Sequence, residues 1–386
     1  MTFSGKGKTQ LLPVNGDEGI ASYLAIGVPS LKVPDLAMYQ RFLPAAWPFK
    51  LLGGEGELQG KVELTQTGFS GFSRLSSKKA DVEVKDFQFL TDLDLNLNID
   101  APNLADTGID VAGSYFRMDK ARISNEEAGS SEPWQASIDI DQGRLKFLLP
   151  ESIDRNASLK DLLAGIKGHE ILPMLDSDSE QLKLRGRITD LRWLNVLLKN
   201  RFNLNIKGAG DITANVVIAT GWPAPGTDLR IKPKQLVVEV LDYVATGGGG
   251  GHLTLAVEKG GENPDIVLDV KLANASFKRK NDERAFVEDT DILLRAVGRN
   301  MSYEKATKDI DLHLQIPSAE VTDMSVYNSY LPAGAPLQIL GGKAELRADV
   351  LLKPESAGGF VKLATSGMHG IIDEQEIEAE LDADIK

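Results

Sequence analysis

The chain has 386 residues, 42% of them hydrophobic, no cysteine and a formal net charge of -13. That acidity excludes phosphate-backbone binding, which needs clustered Lys and Arg. The lack of cysteine removes disulfides, zinc-thiolate and iron–sulfur sites and cysteine nucleophiles together.

The first ten residues, Met1 to Gln10, contain no apolar stretch of signal-peptide length. No run of about 18 apolar residues occurs anywhere, so no transmembrane helix is expected. Period-two alternation, which marks strands with one buried face, then recurs along the chain. A short helix is expected after Asp35, and Gly53-Gly54 reads as a turn. Leu93, Leu95, Leu97 and Ile99 alternate with Asp94, Asn96, Asn98 and Asp100. Trp134, Ala136, Ile138 and Ile140 continue the pattern. Asp141 to Arg144 reads as a hairpin turn leading into Leu145, Phe147 and Leu149. Ser158 to Leu163 has the form of a capped helix start. Thr189 to Asn200 has helical apolar spacing at Leu191, Leu194, Leu197 and Leu198.

Alternation resumes at Ile212/Ala214/Val216/Ile218. The run Gly247 to Gly251 is expected to be a hairpin tip, since no helix follows it to make a phosphate loop. Leu253/Leu255/Val257, the turn Gly260-Gly261 and Ile266/Leu268/Val270/Leu272 come next. Ile310/Leu312/Leu314/Ile316 precedes a short helix after Asp323. Ala344 to Leu352 and the turn Gly358-Gly359 follow. The final segment, Glu376 to Lys386, alternates into its last residue, and a longer parent chain is expected on that ground. The opposite face of these strands is mostly Asp, Asn, Glu, Lys, Arg and Thr, as in antiparallel sheets with one wet and one dry side.

Two distant segments match without a gap. Val28-Pro29-Ser30, Asp35, Tyr39, Leu43-Pro44, Gly53-Gly54 and Glu57-Leu58 recur as Ile316-Pro317-Ser318, Asp323, Tyr327, Leu331-Pro332, Gly341-Gly342 and Glu345-Leu346. The offset is 288 residues throughout (28 to 316, 57 to 345). A degenerate copy holds Asp190-Leu191, Trp193 and Gly208 to Ile212. An aspartate capping a short aromatic-bearing helix, followed by glycines and a new strand, reads as punctuation that redirects a sheet. The expected fold is mainly β: an elongated, curled antiparallel sheet, groove-like and repeat-built, with a few short helices. Three β units are expected, at 1–150, 151–300 and 301–386, the third incomplete.

These Asp-x-x-x-Tyr, Leu-Pro and Gly-Gly-x-x-Glu-Leu units, with amphipathic strands between them, resemble the AsmA-like proteins of Gram-negative envelopes. The resemblance implies a periplasmic piece of a longer chain anchored in the inner membrane. It implies a β-groove that shields and conducts phospholipid acyl chains, with inner- and outer-membrane components as partners at its two ends. The dry face then supplies the lining: Leu93, Leu95, Leu97, Ile99, Ile138, Ile140, Leu268, Val270, Leu312, Leu314 and Leu381. Alternation alone is more often met by a filled-core scaffold or adhesin that holds no lipid; the repeat and the resemblance bring the two readings together.

No enzyme, metal site, cofactor or nucleic-acid partner is expected. His169, His252, His313 and His369 are far apart and show no metal spacing. Gly7-Lys8-Thr9 lacks the leading glycine and strand of a phosphate loop. Asp139-x-Asp141-x-Gly143 and Asp176 to Glu180 complete no calcium loop. A glycosidase would need paired carboxylates across a cleft.

Overall fold

The computed structural model describes residues 24–42, 49–65, 68–84, 87–103, 108–125, 129–148, 174–175, 180–192, 195, 204–219, 222–257, 264–299, 310–332 and 334–385. Of these, 77% lie in strands and 5% in helices, so the class is mainly β. The paired strands run antiparallel. Two compact units form, one from described residues of Met1–Thr189 and Ile212–Thr227, the other from those of Asp190–Asp211 and Asp228–Lys386.

The first unit contains β1 (Leu24–Val33), β2 (Phe49–Leu64), β3 (Phe69–Val84), β4 (Phe87–Ala101), β5 (Gly108–Asp110), β6 (Tyr115–Asn125), β7 (Gly129–Ser130), β8 (Trp134–Leu148), β9 (Met174–Leu175) and β10 (Glu180–Ile188). β11 (Asn205–Ala219) has residues in both units, and β12 (Trp222–Pro223) lies in the first. The second unit continues with β13 (Asp228–Val240), β14 (Tyr243–Ala256), β15 (Asp265–Arg279), β16 (Val287–Gly298), β17 (Ile310–Val321), β18 (Leu337–Leu352), β19 (Ala357–Ile372), β20 (Gln375–Ala379) and β21 (Asp382–Ile385). Two 3-10 helices, Leu36–Phe42 and Met324–Tyr330, follow Asp35 and Asp323 as expected. The expected helices at Ser158–Leu163 and beyond Asn195, the turn at Gly260-Gly261, and Leu43-Pro44 lie outside the described residues.

The repeat is a structural repeat. β2 and β3 map onto β18 and β19 end to end at the same 288-residue offset. Cross-strand partners map too: Leu58 faces Leu75 as Leu346 faces Leu363, and Leu95 faces Leu75 as Ala383 faces Leu363. The Pro-Ser step is a β-bulge in both copies, between Val28 and Leu31 and between Ile316 and Ala319. The bulge turns a serine toward the next strand. Ser30 donates to Glu57 at 2.6 Å, and Ser318 donates to Glu345 at 2.9 Å.

The helical punctuation has a common mechanism in all three copies. The aspartate accepts the N–H two residues on: Asp35 from Ala37 at 3.0 Å, Asp190 from Arg192 at 2.8 Å and Asp323 from Ser325 at 2.8 Å. Five residues after each aspartate, a side-chain amide oxygen accepts a strand N–H. Gln40 takes that of Leu51 at 2.7 Å, Asn195 that of Ile206 at 2.8 Å and Asn328 that of Ile339 at 2.7 Å. In the last copy β17 stops at Val321, and the helix satisfies a backbone group the strand no longer reaches. The residue after each aspartate anchors the turn in the core, as Leu36, Leu191 and Met324 are all buried. Leu331, in extended geometry, closes the last helix before Pro332.

Several turn expectations are corrected. Asp141 to Arg144 is no hairpin: β8 runs straight through it, because β5 and β10 pair on into this stretch. Asp141 is the extra residue of a bulge, since Gln142 faces Lys183 while Ile140 faces Leu184. The glycine run is no hairpin tip either. Gly247 to Gly251 lies inside β14, and the tip is Leu241-Asp242, between the paired Val240 and Tyr243. Gly249 has φ +128°, and a Cβ there would collide with the Lys271 carbonyl. Gly53-Gly54 and Gly358-Gly359 also sit within strands. The glycines therefore bend strands rather than end them. A line of register shifts crosses β2, β3, β4 and β6 in the first unit, and β13, β14, β15, β17 and β18 in the second. Bulges in successive strands curl each sheet.

Candidate functional site

Directly paired residues share a face, so register converts alternation into rows. In the first unit one row runs Leu31, Leu58, Leu75, Leu95, Phe116, Ile138 across six strands. The row one residue over runs Lys32, Glu57, Ser76, Asp94, Arg117, Ser137, Arg187. A one-residue slip would exchange the two faces, which is why the pattern specifies the register. Arg74 holds Asp94 through two bonds of 2.9 and 2.8 Å, and Lys120 meets Asp92 at 3.0 Å. The Arg74 guanidinium keeps the Asp94 carboxyl below its usual range.

Every member of that apolar row is only half-buried. Ile26, at 49% exposure, and Leu97, at 37%, lie on the same face. Among the described residues the face is closed at two places. Near the first helix, Val33, Leu36 and Ala80 form a core against which Tyr39, Leu58, Leu75 and Leu93 pack. Farther along the strands, Ala101, Ile109, Val111 and Leu182 pack with Ile99 and Ile140. Leu95, Leu97 and Ile138 belong to neither cluster.

In the second unit the corresponding rows are Leu229, Leu253, Leu268, Ala296, Leu312, Leu352 and Ile231, Gly251, Val270, Leu294, Leu314, Val350. Here the face lines a half-open pocket of about 480 Å³ with apolar and aromatic side chains alone. Leu272, Ile292, Leu294, Leu312 and Leu314 line it together with Leu346, Ala348, Val361, Leu363 and Ala383. An aromatic cluster adjoins it: Tyr243 stacks on Phe277 at 5.3 Å, and Phe286 on Tyr327 at 5.8 Å. Tyr327 stands on the second 3-10 helix, and burial pushes its phenol up to about 12.

Of the expected lining residues, Leu93, Leu95, Leu97, Ile99, Ile138 and Ile140 share the dry face of the first unit. Leu268, Val270, Leu312 and Leu314 share that of the second, and of these Leu312 and Leu314 line the cavity. Leu381 is 44% exposed and lies outside the cavity lining. Missed were Tyr243, Phe277 and Phe286, which sit at or beside strand ends, where alternation carries no signal; Tyr327 was legible as a repeat residue on its helix, but not as part of the lining.

The wet face of the second unit carries His252 and His313, while His169 lies outside the described residues. His313 meets Asp349 at 2.7 Å beside Gln315, which donates to the same carboxylate at 2.8 Å. His252 pairs with Asp228. These are ion ladders on a solvated surface, and no group of three His, Asp or Glu able to hold a metal occurs among the described residues. No protein-family model, curated protein or solved structure matches the chain.

Proposed function

We propose that the dry faces carry lipid acyl chains, so that the protein is a lipid-transfer protein of the AsmA-like, Gram-negative envelope type, working in the periplasm between inner and outer membranes. The observation that carries this reading is the wholly apolar cavity of the second unit, backed by the half-exposed apolar row of the first. A volume of about 480 Å³ falls in the roughly 300–1,000 Å³ range of small-molecule sites. Polar ligands need placed hydrogen-bond partners, and this lining offers almost none; acyl chains need none. Ten methylenes leaving water contribute roughly 8 kcal/mol. Neighbouring positions along such a lining are nearly equal in energy, so a chain can slide.

The test is organic extraction and native mass spectrometry of the purified protein, with a photoreactive residue at Leu95 or Leu314. Copurified phospholipid and crosslinks to acyl chains are expected. Absence of lipid together with absence of crosslinks sinks the reading. It would leave the second one, a scaffold with a filled interior, which the full burial of Leu272, Ile292 and Leu312 favours.

A further inference from the structure

The lining of the second unit's pocket changes character along the strands. The β13–β14 tip, the β15–β16 turn and the end of β17 lie at one end of the sheet, since Val240 pairs with Tyr243, Tyr243 with Arg279, Phe277 with Val287 and Glu288 with Glu320. All four aromatic residues of the lining come from that end. Tyr243 opens β14, Phe277 lies near the end of β15, Phe286 directly precedes β16, and Tyr327 stands on the 3-10 helix that follows β17. Away from this end the lining is aliphatic: Leu314 faces Val350, and Leu312 faces Leu352.

The four rings form one contiguous group with Phe286 at its hub. Phe286 stacks on Tyr327 at 5.8 Å and meets Tyr243 and Phe277 each at 6.2 Å, while Tyr243 stacks on Phe277 at 5.3 Å. Phe286 is buried. Rings at these spacings are in direct contact, which leaves no room between neighbours for a methylene chain. The group is also tied in place. Arg284 donates from Nη1 to Ser325 Oγ at 3.0 Å and lies 3.5 Å from the Asp323 carboxylate. That joins the turn carrying Phe286 to the helix carrying Tyr327. Asn328 then brackets Ile339, donating to its carbonyl at 2.6 Å and accepting its N–H at 2.7 Å.

We infer that this aromatic group is a stop that sets the length of acyl chain the pocket accepts. The inference rests on the acyl-chain reading above and specifies the ligand at that same site: a chain inserted methyl end first, its tip against the rings and its head group outside. No residue of the lining is charged, so a head group has no partner within. Each methylene that fits leaves water and adds affinity. A methylene beyond the stop either stays in water or forces apart packed rings, and overpacking is unfavourable. Affinity therefore climbs with chain length and then stops climbing.

The experiment titrates the purified full chain with lysophosphatidylcholines carrying lauroyl, myristoyl, palmitoyl, stearoyl or arachidoyl chains, below their micelle thresholds, each displacing a fluorescent acyl probe. Every step adds two methylenes and should tighten binding about fifteenfold while the chain fits, then bring no gain. Phe277→Ala and Tyr327→Ala each remove a half-buried ring from the group and should move the limit at least one step toward longer chains. Ala348→Phe, on the aliphatic part of the lining, should move it toward shorter ones. Circular dichroism checks that each variant keeps its strands, and Phe277→Leu reads the same shift should the alanine variants lose theirs. A limit unmoved in the aromatic variants, or affinity that climbs through the longest chain, overturns the stop and leaves acyl-chain binding standing. No displacement by any chain overturns both.

Discussion

The apolar faces of the two units are written in the same alternation, and they come to different ends. In the first unit the row from Leu31 to Ile138 has no fully buried member, and Leu97 and Ile26 stay exposed. In the second, Val270, Leu294 and Leu312 are buried, and Leu312 is 1% exposed. The difference arises from what stands over the face. The second unit sets Phe277, Phe286, Tyr243 and Tyr327 against its pocket, which apolar residues of strands from β13 to β21 line. Among the described residues the first has a helix at one place and a small cluster at another, with half-exposed side chains between. Period-two patterning thus sets which side is dry, and leaves undecided whether the dry side is open or closed.

The sharpest way to break this contrast is a matched pair of substitutions. Leu312→Ala should cost about 2–5 kcal/mol, the range for a buried leucine whose cavity cannot collapse. Leu95→Ala, half-buried, should cost about 1 kcal/mol. Denaturant unfolding of the two variants measures both, and equal losses would mean that the first face is as closed as the second. Leu95→Asp should leave the fold intact while abolishing acyl-chain crosslinks.

A smaller effect tests the curl. Gly249→Ala should destabilise by about 1–3 kcal/mol, because its positive φ and its closeness to the Lys271 carbonyl both exclude a side chain. Gly358→Ala, with nothing within 4 Å of a Cβ, should be neutral. Thermal melts of the pair report whether the bulged seam, rather than glycine content in general, sustains the bend.

Next comes the helical punctuation. Asp323→Ala should cost about 1 kcal/mol by removing the cap on Ser325. It should also raise hydrogen exchange at Ile339, whose N–H depends on Asn328. An unchanged Ile339 amide would show that the helix does not stand in for the missing strand.

The smallest contrast concerns the wet faces, which are alike. Asp92, held by the Lys79 N–H and Lys120, and Asp94, held by Arg74, titrate below the ordinary 3.8 in the first unit. Asp228, held by His252, and Asp349, held by Gln315 and His313, do so in the second. A carboxyl depressed in the folded state adds stability above its unfolded value and loses it as pH falls through the folded one. Stability should therefore be level between about pH 7 and about pH 5 as far as these groups decide it. It should fall below 3.8 in both units. Acid unfolding of one unit well before the other, followed by tryptophan and amide probes, would contradict this.

Alternation, with polar partners one residue over, determined by itself the strand class, the antiparallel pairing and which residues are dry. Leu95 and Leu312 were legible because a strand's period is two and a slip is costly. The repeat was legible too, since aspartate caps and bulge residues must recur wherever the same backbone recurs. What only the tertiary structure decided was the role of glycine. Gly54 and Gly249 look like turns in sequence, yet a glycine that frees φ serves a bulge as well as a turn, and neighbouring strands choose between them. The same holds for Asp141 to Arg144, where β5 and β10 keep the chain extended. Leu97 and Leu312 alternate alike, but one is exposed and the other buried. Exposure depends on the adjacent strand, and no local pattern records a neighbour.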